Sequence, residues 1–308
     1  MIRYIFGRLA IAAPTLLAVV TLSFFLLRAA PGGPFDSTRA LPPEIEANLN
    51  ALYGLDRPLT EQFTSYVGGV LRGDFGPSYR YRDVQVSDIV ADALPVSLAI
   101  GGLGLSLTLI LGIGVGAASA LARGPALATA LSVAISVGIA VPSFVSAPIL
   151  ALIFGVMLDI LPVAGWGGGR AEHLILPMIA LGVPNAAFVA RLMRASMLEQ
   201  MTSESILAAR ARGASPRRII LRHILQPALI PVVSYLGPAS ASILTGSVVI
   251  EQLFALPGAG QAFIDASLNR DYTLVLGLVI VFATLVILLN LLTDILAGAL
   301  NPRLRAGR

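Results

Sequence analysis

The sequence predicts an all-α integral membrane protein of six transmembrane helices, and three observations carry that expectation. Hydrophobic residues make up 56% of the chain and charged residues 12%, with a mean hydropathy of +0.84; an average soluble domain carries about 25% charged residues. Apolar stretches long enough to cross a hydrocarbon core of roughly 30 Å recur along the chain. With both termini cytoplasmic, the charges sort by side. Thirteen arginines (Arg3, Arg8, Arg123, Arg191, Arg194, Arg210, Arg212, Arg217, Arg218, Arg222, Arg303, Arg305 and Arg308) face only Glu199 and Glu204 inside, and the other eight share the outside with most of the acids. That asymmetry is the positive-inside rule, and an odd span count would break it.

The same composition excludes several chemistries. All 21 basic residues are arginine and there is no cysteine. Disulfides, thiolate metal sites, a P-loop lysine, a Schiff base and a Ser-Lys pair are therefore absent from this chain. The net charge of +4 and pI of about 9.8 are explained by membrane topology and do not point to a nucleic acid.

The first span covers residues 9–27 and is too long for the apolar core of a cleaved signal peptide, roughly 7 to 15 residues. Residues 31–93 form a polar outside segment with nine carboxylates against five arginines. Within it, residues 43–53 and 58–71 repeat apolar side chains at helical spacing, predicting two amphipathic helices that cap the spans, receive an extracytoplasmic partner, or both. The second span covers 94–121, where Gly112 and Gly116 at GxxxG spacing predict close helix packing. The third covers 127–158, with Pro142 and Pro148 each able to kink it.

An outside loop with the only tryptophan, Trp166, leads past His173 to the fourth span at 174–190. His173 and His223 have no partner at metal-ligand spacing and read as ordinary hydrogen-bonding residues. The fifth span, 228–250, is rich in hydroxyls. Ser234, Tyr235, Ser242 and Thr245, with Ser143 of the third span, are candidates for lining a water-filled path, although small hydroxyl residues equally serve to join helices. LPGAG at 256–260 breaks the following outside segment. In the sixth span, 274–296, Asn290 and Asp294 are intramembrane polar residues, and the position of Asp294 near the inside end predicts snorkelling or pairing with an arginine.

Between the fourth and fifth spans, residues 191–227 form the longest arginine-rich run. Residues 206–212 read as a short helix, Gly213 as its C-terminal cap, and Ser215 with Pro216 as the start of a second helix. Ala208, Ala209 and Gly213 are small enough for another protein's backbone to approach. Arg210, Arg212, Arg217, Arg218 and Arg222 are able to meet carboxylates, carbonyls or anionic membrane lipid. A basic inside loop is also what membrane topology gives any such protein.

The stretch AARARGASPRRIILRHILQPALIPVVSYLGP resembles the cytoplasmic loop of ATP-binding-cassette importer permeases of the binding-protein-dependent type. Leu207 stands where an acidic residue is usual, and Gln226 where a proline is usual, with Pro227 one place on. MIRYIFGRLAIAAPTLLAVVTLSFFLLRAAPGGPFD, LPPEIEANLNALYGLDRPL, GDFGPS and EQLFALPGAGQAFIDASLNRDYTLV are similar, in the same order, to the B subunit of oligopeptide permeases. The resemblance implies a non-catalytic permease subunit of a bacterial inner-membrane importer. Its loop residues Ala208, Ala209, Arg210, Arg212, Gly213, Ser215, Arg217 and Arg218 would carry a helix that couples to an ATPase. It also implies a homologous permease partner, cytoplasmic ATPases that bind ATP and Mg, an extracytoplasmic peptide-binding protein and a peptide substrate. A permease for dipeptides, nickel or another solute, and an ATP-independent secondary transporter, are the alternatives.

Overall fold

The computed structural model describes residues 2–30, 32–35 and 42–300. Asp36 and Arg39 of the outside segment and the tail arginines Arg303, Arg305 and Arg308 lie outside the described residues. Eleven helices are built from these residues. They are α1 Ile2–Ala29, α2 Pro43–Leu52, α3 Leu59–Val70, α4 Val86–Leu121, α5 Pro125–Ala140, α6 Ser143–Met157, α7 Ala171–Met201, α8 Glu204–Ala211, α9 Pro216–Leu253, α10 Ala259–Leu268 and α11 Tyr272–Leu300. Among the described residues the only β pairing is an isolated bridge between Pro77 and Gln85.

Five helices (α1, α4, α7, α9 and α11) are each long and apolar enough to cross a membrane, and the pair α5 and α6 counts as a sixth crossing if taken together. That third span is not the single helix expected over 127–158. Its two halves meet at 100°. The cause is Pro142, which pushes Val141 out of the helical region to φ −90°, ψ 113°; Pro148 sits inside α6 without breaking it. The other helices outrun their apolar cores. At 36 residues, α4 is about 54 Å long at 1.5 Å per residue, well beyond the hydrocarbon thickness.

Close backbone approach holds the bundle together. The α4–α7 pair is the most extensive, and its glycines explain why. A Cβ on Gly112 would lie 2.6 Å from Val189 Cβ, and one on Gly116 would lie 2.6 Å from the Ala190 carbonyl oxygen. Across the same seam the Thr108 hydroxyl donates to the Gly182 carbonyl at 3.0 Å. Asn290 on α11 fills the space left by Gly237 on α9 and donates to Val286 O at 2.8 Å. Asp294 pairs with Arg8, Nε to Oδ2 at 3.1 Å, so the acid of the sixth span joins α11 to α1.

At the opposite end the outside segment is locked onto the bundle. Phe24 and Phe25 of α1 pack against Phe63 of α3. Asp271 caps α11 by accepting from Leu274 N–H at 3.3 Å, and it also accepts from the Ser78 hydroxyl and Tyr79 N–H, tying GDFGPS to the sixth span. The LPGAG turn wraps the buried Glu251. Its Oε2 accepts from Gly260 N–H at 2.7 Å and Gln261 N–H at 3.3 Å, capping α10 from the end of α9, while Ser97 of α4 caps Ala259 N–H at 2.8 Å. His173 bonds the Gly165 carbonyl through Nδ1 at 2.8 Å, an ordinary loop contact.

Candidate functional site

The arginine-rich loop is shorter than 191–227, because α7 carries Arg191 and Arg194 on its own last turns and α9 starts at Pro216. What remains is α8 with its two turns. Ser203 precedes α8 in extended conformation, and Ser215 precedes α9 in the same way, with Pro216 at the first helical position; neither serine caps through its side chain. Gly213 ends α8 with φ +74°, a left-handed conformation that glycine adopts without steric cost. Gly213 N–H bonds Arg210 O at 2.9 Å and Ala214 N–H bonds Ala209 O at 3.1 Å, the paired closing bonds of a Schellman motif.

The periodicity of α8 divides it into two faces. Ile206 and Ala209, each 1% exposed, pack with Met193 and Met197 of α7 and Ile219, Ile224 and Ala228 of α9. Full burial of an isoleucine is worth about 2 kcal/mol, so α8 is seated firmly on the two long helices that flank it. The other face is open: Leu207 is 63% exposed, and Ala208, Arg210, Arg212 and Gly213 are exposed beside it. Ala209 therefore does not face a partner as expected. It lies three residues after Ile206, on the inward face, where its small size lets α8 lie close to the chain's own helices. Ser215, Arg217 and Arg218 are exposed next to this face. The two arginines stand in the first turn of α9, where the helix dipole disfavours cations by about 0.3 to 1 kcal/mol, and no ion pair among the described residues offsets this.

Beside the break between α5 and α6 lies an open cleft of about 460 Å³ between α5/α6, α7 and α9. Four of the five hydroxyl residues expected on a path line it: Ser143, Tyr235, Ser242 and Thr245. Ser234 does not; it is exposed elsewhere on α9 and donates to Ile230 O at 3.0 Å. Unwound backbone at membrane depth is tolerated where it borders such a cavity. Asn185 and Phe188 of α7 complete the polar and aromatic lining, and neither was singled out from the sequence. Asn185, next to Pro184, carried the signal of a polar residue in an apolar helix; nothing in the apolar pattern distinguishes Phe188. The rings of Phe188 and Tyr235 stack at 4.6 Å, and the Arg191 guanidinium lies 5.0 Å from the Phe188 centroid. No acidic or basic side chain lines the cleft.

A multi-pass helical bundle with a polar, uncharged cleft between α5/α6, α7 and α9 and a short helix seated on its end has the form of a membrane transport component. The chain belongs to the family of binding-protein-dependent transport system inner membrane components, which matches residues 110–306; the N-terminal region of that family matches residues 1–101. It is 47% identical over 305 residues to the oligopeptide transport system permease protein OppB of Haemophilus influenzae, covering 99% of this chain and 100% of that protein. The same coverage holds at 46% identity to the OppB of Escherichia coli K12 and at 38% to the dipeptide transport system permease protein DppB of Lactococcus lactis subsp. cremoris. Among solved structures, the fold is similar to that of a chain of the inward-facing MetNI methionine ABC transporter. The TM-score is 0.59 at 18% identity, over 69% of this chain and 96% of that one.

Proposed function

We propose that this chain is the transmembrane permease subunit of an ATP-driven importer that takes up oligopeptides delivered by an extracytoplasmic binding protein. The full-length identity to oligopeptide permeases carries this reading, standing at 47% against 38% for the dipeptide permease. The chain works beside a homologous permease subunit in the bacterial inner membrane, with both termini cytoplasmic. Cytoplasmic ATPase subunits bind ATP and Mg and perform the hydrolysis.

The geometry supports a division of labour. The open face of α8, with Leu207, Ala208, Arg210, Arg212 and Gly213, docks the ATPase. Arg217 and Arg218 add contacts to the same partner or to anionic lipid, which accounts for arginines at an unfavourable helix end. Because Ile206 and Ala209 fix α8 to α7 and α9, closure of the ATPases on ATP moves those two helices with it. They are the helices that border the cleft, so the motion reaches Tyr235, Ser242 and Thr245 directly, and Ser143 through α6. An uncharged lining that offers hydroxyl and amide groups suits peptide backbones of varied sequence.

The test is uptake of a labelled tetrapeptide by proteoliposomes that hold this chain with its permease partner and ATPases. Uptake that requires both enclosed ATP and added binding protein is the expected result. Uptake without ATP would discard the mechanism, and binding-protein-stimulated hydrolysis with only another solute would discard the substrate.

A further inference from the structure

The lining of the cleft is uncharged while a guanidinium stands beside it, and we infer from this that the cleft orients its peptide, with Arg191 as a specificity-determining residue for the free C-terminal carboxylate. The inference rests on the peptide-importer reading and assigns a substrate feature to one side chain. Two of the lining groups make hydrogen bonds within their own helices. Asn185 Nδ2 donates to Leu181 O at 3.0 Å and Thr245 Oγ1 to Ala241 O at 3.0 Å. Asn185 keeps its amide oxygen and its second N–H, Thr245 keeps its hydroxyl lone pairs, and the hydroxyls of Ser143, Tyr235 and Ser242 are able to donate or accept. Such a surface meets peptide N–H and carbonyl groups alike but offers no positive charge to a carboxylate.

A cation stands at one edge only. The Arg191 guanidinium lies over the face of Phe188, which lines the cleft one turn earlier on α7. Arg191 is exposed and, among the described residues, enters no salt bridge. Its contact with the ring is a cation–π interaction, which fixes the side chain beside the cleft without using its N–H fork. The fork remains free for a bidentate partner. A peptide with its backbone along the hydroxyl and amide groups and its carboxylate on Arg191 satisfies both features, and it runs with its C-terminus toward the α8 end of the bundle, where Arg191 lies.

Uptake of a labelled tripeptide and of its C-terminal amide is compared in proteoliposomes holding the complete transporter, with saturating binding protein preloaded with each peptide. The wild type is expected to transport the free acid with about tenfold higher kcat/KM, the size of one charge-assisted hydrogen bond. In Arg191→Gln the preference is expected to fall within about twofold, and Arg191→Lys, which keeps the charge, retains most of it. Equal transport of acid and amide by the wild type would overturn the inference while leaving the importer reading intact. So would a preference unchanged in Arg191→Gln, which would belong to the binding protein. A loss of preference in assembled Arg191→Lys as large as in Arg191→Gln would overturn a role for the charge. Uptake of neither peptide by the wild type would remove the importer reading itself.

Discussion

Phe188 of α7 and Tyr235 of α9 stack across the cleft with ring centroids 4.6 Å apart and planes inclined by 27°. The pair ties together the two helices that continue into α8 from either side. Aromatic pairs contribute about 0.5 to 1.5 kcal/mol beyond their buried area. Tyr235→Phe is expected to keep the stack and the wild-type ratio of ATP to peptide, whereas Tyr235→Ala loosens α7 from α9 and raises ATP consumed per peptide by about threefold. Parallel assays of hydrolysis and uptake in proteoliposomes measure that ratio.

Gly213 offers a clean test of the turn after α8, because a Cβ placed there meets nothing within 4 Å while φ is +74°. The only cost of a side chain is backbone strain, about 1 to 2 kcal/mol, and more for a β-branched residue. Gly213→Val is expected to insert in the membrane normally yet lose most uptake while ATP hydrolysis persists; Gly213→Asn, which tolerates the left-handed region, loses far less. Normal transport by Gly213→Val would contradict the role given to this turn.

Two glycines of α4 are expected to respond in opposite directions. A Cβ on Gly116 would come within 2.6 Å of the Ala190 carbonyl oxygen, whereas one on Gly114 meets nothing within 4 Å. Gly116→Ala is expected to destabilise the bundle by about 1 to 3 kcal/mol. Gly114→Ala, by relieving the helix penalty of glycine, is expected to stabilise it by up to about 1 kcal/mol. Thermal unfolding of the purified variants in detergent gives the sign of each.

The Arg8–Asp294 pair is partly open, with side chains 48% and 25% exposed. Its coupling in a double-mutant cycle of Arg8→Gln and Asp294→Asn is therefore expected not to exceed about 1 kcal/mol. A much larger coupling would mean that the pair is shielded by lipid or a partner subunit.

Burial pushes the Tyr66 phenol well above its ordinary value of 10.0, with Tyr79 adding to the rise. Burial also raises Tyr79, partly offset by its hydrogen bond to Arg28. A group whose folded pKa is raised contributes stability that is complete below the unfolded pKa and is lost as pH climbs toward the folded value. The packing of α3 on α1 is thus expected to weaken above about pH 10, and Tyr66→Phe to blunt that loss. Unfolding midpoints across this alkaline range decide it.

Much of this architecture was legible in the residues. Apolar runs located the membrane helices, the left-handed requirement after Arg212 located the end of α8, and the acid near the end of the sixth span found an arginine. The hydroxyls at 143, 235, 242 and 245 share a cleft, whereas Ser234, equally polar in the same apolar helix as the last three, stands apart from it. Three features were not legible, each for a physical reason. A proline signals a kink but not its angle, so the 100° break at Pro142 was invisible. Ala209 and Ala208 are chemically identical, and only the packing of Ile206 decides which faces inward. Phe188 sits in an apolar helix where lipid, core and cleft all accept a phenylalanine.

That the energy of ATP enters through α8 is tested most directly by cross-linking, which the cysteine-free chain allows without background. Single variants Ala208→Cys and Ala209→Cys are assembled with the partner subunits, the ATPase carrying a cysteine in its permease-facing groove. Ala208→Cys, on the open face, is expected to cross-link to the ATPase with a yield that changes when ATP is bound, and Ala209→Cys, on the seated face, is expected to stay unlinked. Cross-linking through Ala209→Cys but not Ala208→Cys in an assembled complex, or through neither, would contradict the assignment.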